Sequence, residues 1–255
     1  MLAIALRYGL DDRHLALLRP LAGTDELAVE QTSYRDAVAL VDRLLATGDG
    51  AIDRGRVHEL AVCDMDAILS GLYRALFGGI AEARCVCPHC GKPFEFELPV
   101  GADLPQPDGC EAVPVDRTRF RLPQGTVFRL PEVRDLLVSD AAVGPRLAKR
   151  FVVATGGDGE AAVEAAIARL APACVESVST QCPSCGTAQS VDFDIAAFLM
   201  KSLIRERDFL LREVHIIARA YGWSLTEILA LTRPVRHGFV RLAGGATAAA
   251  RRSAA

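Results

Sequence analysis

Cys87-Pro88-His89-Cys90-Gly91 stands ahead of Phe94-Glu95-Phe96-Glu97-Leu98, and Cys182-Pro183-Ser184-Cys185-Gly186 stands ahead of Val191-Asp192-Phe193-Asp194-Ile195. Each passage is a CPxCG knuckle followed by a strict apolar/acidic alternation, the period-two pattern of a half-buried strand. It is the clearest internal repeat in the chain, and 91 residues separate its two cysteine pairs.

A CxxC turn brings two sulfurs to one ion, and the glycine after the second cysteine permits the tight turn that aims amides at the thiolates. Zinc in structural sites takes four ligands in a tetrahedron, commonly thiolates at roughly 2.3 Å. Cys87, Cys90, Cys182 and Cys185 are therefore the predicted ligands of one zinc ion per chain. Four thiolates close the coordination sphere and leave no position for water, which points to structure rather than catalysis. The competing readings are two unrelated CxxC pairs or a redox disulfide. Redox CxxC motifs usually sit at a strand-to-helix junction, whereas strands follow here. Cys85 and His89 flank the first knuckle and could compete for the ion; a bystander thiol and an exposed side chain are the simpler roles. Cys63, Cys110 and Cys174 read as isolated thiols, and His215 as a solvated residue on a helix face.

Working outward, the pattern predicts an α+β protein. Its parts are a mostly helical N-terminal region (1–84), a split zinc ribbon (85–100 with 178–195), an inserted α/β subdomain (101–177), a C-terminal helical region (196–243) and a disordered tail (244–255). In the first part, Leu15–Leu18 and Leu27–Val29 read as paired strands around Ala22–Asp25. Ser33–Asp36 reads as a capping box, and Asp64 as the cap of a second helix that ends at Gly78-Gly79. A Pro/Gly/Asp-rich loop near 101–109 opens the insertion. It continues with a hairpin around Pro123-Gln124-Gly125 and with helical stretches near 132–153 and 158–171. After the second knuckle, Asp194 caps one long helix with Leu199, Leu203, Leu210, Val214, Ile217 and Tyr221 as its stripe, ended by Gly222. Ser224-Leu225-Thr226-Glu227 opens another helix, and Thr232-Arg233-Pro234 a third.

The 255 residues are 51% hydrophobic and 24% charged, a globular composition, and the net charge of −3 gives no overall pull toward nucleic acid. No basic segment precedes the short apolar N-terminus, and no apolar run reaches the roughly 18–20 residues of a membrane span. A soluble, cytoplasmic protein is the expectation, and in that compartment eight cysteines suit metal ligation and buried thiols. The chain has no GxxxxGK[ST], HExxH or GxSxG pattern, and the HxE partner of a zinc deaminase is missing. Neither a catalytic residue nor a small-molecule substrate is predicted. Zinc ribbons often bind nucleic acid, and a nucleic-acid-binding regulator is the main rival. Against it, Glu95, Glu97, Asp192 and Asp194 make the polar strand faces acidic. Arg233, Arg236, His237 and Arg241 could form a basic patch.

The two knuckles with their FEFEL-like alternation and long insertion resemble the baseplate proteins of contractile-tailed phages, and more closely those of phage-tail-like contractile injection systems. Leu72-Tyr73-Arg74-Ala75-Leu76-Phe77-Gly78 is similar to that family, as are Asp194–Phe198, Leu211–His215, Tyr221-Gly222-Trp223-Ser224 and Glu227-Ile228-Leu229. The resemblance covers roughly 60–100 and 178–242. It implies a non-enzymatic role in assembling the baseplate or its hub through contacts with other baseplate, hub or spike proteins, including incorporation in a phage-tail-like particle. Trp223, the single tryptophan, is a candidate partner contact or, equally, a staple between helices.

Overall fold

The computed structural model describes residues 1–101, 109–138, 147–172 and 177–253. The chain is a mixed α+β protein with small sheets. Strands β1 (Leu2–Leu10) and β2 (Arg13–Leu18) form a hairpin, followed by α1 (Gly23–Leu27), α2 (Tyr34–Leu44) and α3 (Val62–Phe77). Strands β3 (Ile80–Val86) and β4 (Pro93–Pro99) flank the first knuckle. The insertion supplies β5 (Val113–Pro114), β6 (Arg119–Arg121), β7 (Val127–Arg129), α4 (Val133–Val138), α5 (Leu147–Phe151), β8 (Val152–Ala154) and α6 (Glu160–Leu170). Strands β9 (Ser177–Gln181) and β10 (Ala188–Asp192) flank the second knuckle, and α7 (Ile195–Arg205), α8 (Arg207–Tyr221), α9 (Leu225–Ala230) and α10 (Arg233–Ser253) complete the chain.

The N-terminal region is mixed rather than mostly helical. Leu15–Leu18 does pair, but with β1 and not with Leu27–Val29, in the register Leu2↔Leu18 to Ala5↔Leu15. Leu27 closes α1 instead. The β1 run reads as apolar almost throughout because Ala3 and Ala5 fill its exposed positions between the buried Ile4 and Leu6, which hides the alternation that marks a hairpin. The ladder breaks between Ala5 and Leu10. There Gly9 takes a positive φ of 58°, and a Cβ on it would lie 2.1 Å from the Arg13 carbonyl oxygen. The bulge frees three N–H groups, of Arg7, Tyr8 and Gly9, and all three donate to the buried Asp64 carboxylate at 2.7, 3.0 and 2.8 Å. Asp64 is thus no cap. The α3 cap is Ala61, and Asp64 ties the helix to the hairpin.

One core gathers β1, β2, α2, α3 and α7, with Leu40, Leu44, Ile68, Leu69, Leu199 and Met200 fully enclosed. A second core joins Phe120, Phe128, Leu130, Val163 and Leu170 of the insertion to Tyr8, Ala61 and Cys63 of the N-terminal region. The insertion's four-stranded sheet, in the order β5-β6-β7-β8, therefore does not enclose its core alone. Its hairpin falls where Pro123-Gln124-Gly125 predicts it. The 101–109 loop and Cys174 lie outside the described residues, apart from the ends of that loop.

The expected single helix from Asp194 is two. Asp194 does cap α7, accepting from the N–H groups of Ala196 and Ala197, but the chain turns at Glu206 and restarts as α8. Leu199 and Leu203 then face the first core, while Leu210 and Ile217 pack beneath α8. Gly222 ends α8 in the left-handed region at φ 71°, and the Ser224/Glu227 capping box forms as predicted. The α10 helix extends through Ser253, across residues expected to be disordered; alanine, the strongest helix former, dominates that stretch.

Candidate metal centre

Each knuckle is the tip of a β-hairpin. In the first, β3 pairs antiparallel with β4 from Ile80↔Pro99 to Val86↔Pro93. In the second, β9 pairs with β10 from Ser177↔Asp192 to Gln181↔Ala188. The two tips share one hydrogen-bond pattern. The Cys87 N–H donates to the Lys92 carbonyl at 3.0 Å and the Gly91 N–H to the Cys87 carbonyl at 2.9 Å. The Cys182 N–H donates to the Thr187 carbonyl at 3.0 Å and the Gly186 N–H to the Cys182 carbonyl at 2.8 Å. Gly91 and Gly186 both have positive φ, 69° and 71°, which is why glycine follows each second cysteine.

The hairpins bring all four predicted ligands together. The sulfurs of Cys87, Cys90, Cys182 and Cys185 all lie within 4.8 Å of one another. The short edges cross between knuckles: Cys87 to Cys185 and Cys90 to Cys182, each 3.7 Å. A tetrahedron with metal–sulfur bonds of ~2.3 Å has edges of about 3.8 Å, so the donor set fits one thiophilic ion. It does not fit a disulfide, whose sulfurs are ~2.05 Å apart; the four cysteines are free thiols. One structural metal ion is consistent with these four close cysteines, and thiolate donors suit a soft ion such as zinc, Cu(I) or iron.

Burial follows the pseudo-symmetry. Cys87 and Cys182, the leading cysteines, are 0% and 1% exposed, and Phe94 packs beside them. Cys90 is half-buried and Cys185 exposed. The side-chain hydrogen bond between Cys185 and the Thr187 hydroxyl, 3.3 Å apart, and one with the Thr187 backbone draw the Cys185 thiol down to about 6. The Lys92 backbone N–H favours the Cys90 thiolate, but desolvation and the bonds with the other three thiols outweigh it and push Cys90 up to about 11. A divalent cation held by the four sulfurs would favour their thiolate forms and displace their protons.

Neither proposed competitor joins the cluster. Cys85 lies on β3 and accepts a hydrogen bond from the Gln189 side chain at 3.4 Å, while His89 is exposed. Gln189 and Thr187 went unnoticed in the sequence; their only signal is position, on the strand leaving the second knuckle. Cys63 is buried against Tyr8 in the second core, and burial pushes its thiol far above the ordinary range. His215 is exposed, as expected of a solvated residue.

The basic patch does not form. Arg236 is fully buried and bonds Glu26 at 2.5 Å and Glu213 at 2.9 Å. Arg233 also pairs with Glu26, at 2.7 Å, and His237 lies 2.7 Å from Glu213. Trp223 packs against Phe239 with ring centroids 4.8 Å apart and against Tyr221 at 5.3 Å. It is half-buried and joins the end of α8 to α10, one of the two roles expected of it. Among the described residues, no helix is long and apolar enough to cross a membrane. Comparison of the chain with protein-family models, with curated proteins and with solved structures finds no match.

Proposed function

We propose that this chain is a non-enzymatic structural or assembly protein of a contractile tail or injection-system baseplate, built on a split zinc ribbon and working through protein–protein contacts. The tetrad carries the reading. A zinc ion held by Cys87, Cys90, Cys182 and Cys185 has every coordination position filled by protein, so it has none to offer a substrate or an attacking water. What it supplies is shape: two hairpins remote in sequence become one ribbon, and both ends of the insertion are held there. The family resemblance of the hairpins and of the α7–α9 segment gives that shape a setting.

Support for a contact role comes from side chains the fold leaves uncovered. The predicted stripe is largely consumed by the protein's own packing, yet Phe209, Leu211, Leu225 and Leu242 on α8, α9 and α10 are each about half exposed or more, from 48% to 65%. Apolar groups so placed favour burial against another protein. The nucleic-acid rival has lost its basic patch to Glu26 and Glu213, while Glu95 and Glu97 stay exposed on β4.

The test is co-expression of the chain with tail, hub and spike subunits of a contractile particle, followed by affinity purification in high salt. Recovery of one of those subunits in fixed stoichiometry is the expected result. Salt-sensitive DNA binding with no subunit recovered would overturn the reading in favour of the rival.

A further inference from the structure

Arg119 and Arg129 are direct partners across β6 and β7. Both project from the outer face of the insertion's sheet, because the intervening positions Phe120 and Phe128 point into the second core. Like charges placed directly opposite on adjacent strands destabilise a sheet. A single uncharged residue at either position would relieve that cost. Instead the chain adds two more guanidinium groups, Arg117 from the turn before β6 and Arg134 from α4, around the same cleft.

The cleft has a volume of about 450 Å³, and its lining sets these four arginines against two carboxylates, Asp116 and Glu132. Arg129 is spent: both of its terminal nitrogens donate to Asp135, at 2.6 and 2.7 Å. Arg117 is spent on the fold, donating to the carbonyls of Gly9 and Glu59. Arg119 and Arg134 are different. Arg119 meets Asp116 through its Nε, at 2.7 Å, and among the described residues its side chain has no other ion-pair partner. Arg134 pairs with Glu132 through a terminal nitrogen, and Arg117 reaches the same carboxylate at 3.9 Å. Both side chains are half exposed, 52% and 55%. A guanidinium carries five N–H donors in a planar fork that matches the oxygens of a carboxylate or phosphate two at a time. Once Asp135 is counted beside Arg129, the four arginines still outnumber the carboxylates by one, two of them keep part of their donor fork, and the volume lies within the range of small-ligand sites.

We infer that this cleft binds a multiply charged oxyanion, a phosphate or a paired carboxylate, on the outward nitrogens of Arg119 and Arg134. Such a group reaches the cleft either as a free ion or carried on an acidic peptide. The site is independent of the metal centre and does not rest on the assembly role.

Calorimetric titration of the full zinc-loaded chain at low ionic strength tests it, with inorganic phosphate, succinate and a capped tetra-aspartate peptide as probes. Saturable binding that weakens as salt rises is expected for at least one probe. Arg119→Gln should weaken it at least about tenfold, the scale of a lost hydrogen bond to a charged group. Arg134→Gln is the second variant and decides the matter if the first misfolds by circular dichroism. Arg219→Gln, on the exposed side of α8, should bind as the parent does. Tighter binding of the peptide identifies a partner's acidic segment as the source, and tighter binding of phosphate or succinate a free anion. Absence of saturable binding by all three probes, or parental affinity in folded Arg119→Gln and Arg134→Gln, overturns the inference.

Discussion

Two clamps hold sequence-distant parts of this protein together, and they work by opposite physics. At the knuckles, four cysteines from two hairpin tips converge with the shortest sulfur–sulfur edges at 3.7 Å. At the C-terminal helices, Arg236 is enclosed between Glu26 of α1 and Glu213 of α8. The first clamp is locally built: each half is a five-residue turn closed by its own backbone hydrogen bonds. The second has no local half, since an unpaired guanidinium or carboxylate in that interior would be costly. A metal site can therefore be assembled from prefabricated pieces, whereas a buried ion pair has to be enclosed together with the core around it.

The largest way to break this comparison is to remove the metal. Zinc bound to small thiolate domains contributes an apparent ~10–16 kcal/mol, more than most domains have to spare. Protein purified without added zinc is expected to carry one ion per chain by metal analysis, and Cys182→Ser to carry almost none. Amide exchange in that variant should rise in both hairpins, 80–99 and 177–192, although only one was altered. Full zinc retention in Cys182→Ser would mean that the knuckles do not share an ion.

Breaking the other clamp should cost less. Arg236→Ala leaves Glu26 to Arg233 and Glu213 to His237 and is expected to destabilise the chain by about 3 kcal/mol, the low end for a broken buried pair, read from the urea midpoint. Replacing the trio together (Glu26→Leu, Glu213→Leu, Arg236→Met) should recover part of that loss, a substitution no metal centre tolerates. Trp223→Ala, which removes ring contacts with Tyr221 and Phe239, should cost about 1–3 kcal/mol from two aromatic pairs. It should lower the exchange protection of α10 and leave the zinc content unchanged.

Acid sharpens the contrast at the smallest scale. The Arg19 guanidinium and the Ala22 N–H hold Asp25 below the ordinary carboxylate range against its burial, and Arg129 with the Glu132 N–H does the same for Asp135. A lowered folded-state value means that the stabilisation is present above the unfolded carboxylate pKa of about 4 and is lost as pH falls through the folded value. Asp25→Asn should therefore be less stable than the parent at neutral pH and converge with it in acid. A gap that persists unchanged in acid would assign the effect of Asp25 to packing.

What could be read from the sequence follows the same division. The knuckles are legible because ligand spacing and glycine fall within each CPxCG turn; the alternation marks β4 after the first, but after the second the strand ends at Asp192 and Ile195 already opens α7. The Ser224 box and the Gly222 stop were legible for the same local reason. The strands entering the knuckles were harder, since β9 reads Ser-Val-Ser-Thr-Gln and carries a weak apolar signal. The break at Glu206 has neither glycine nor proline to announce it; packing of α7 against α2 and α3 sets it. Arg236 was read as a surface charge because its partner Glu26 lies 210 residues away. No local pattern can show that a charge will be buried.

The order in which the ribosome delivers the two knuckles has a consequence of its own. Cys90 emerges 92 residues before Cys182, which at ~5–20 residues per second is roughly 5–20 s. Throughout that interval the nascent chain presents a finished turn with two thiols and no counterpart. A cell that makes this protein must shield that half-built tip from stray copper and from oxidants until translation of the insertion is done.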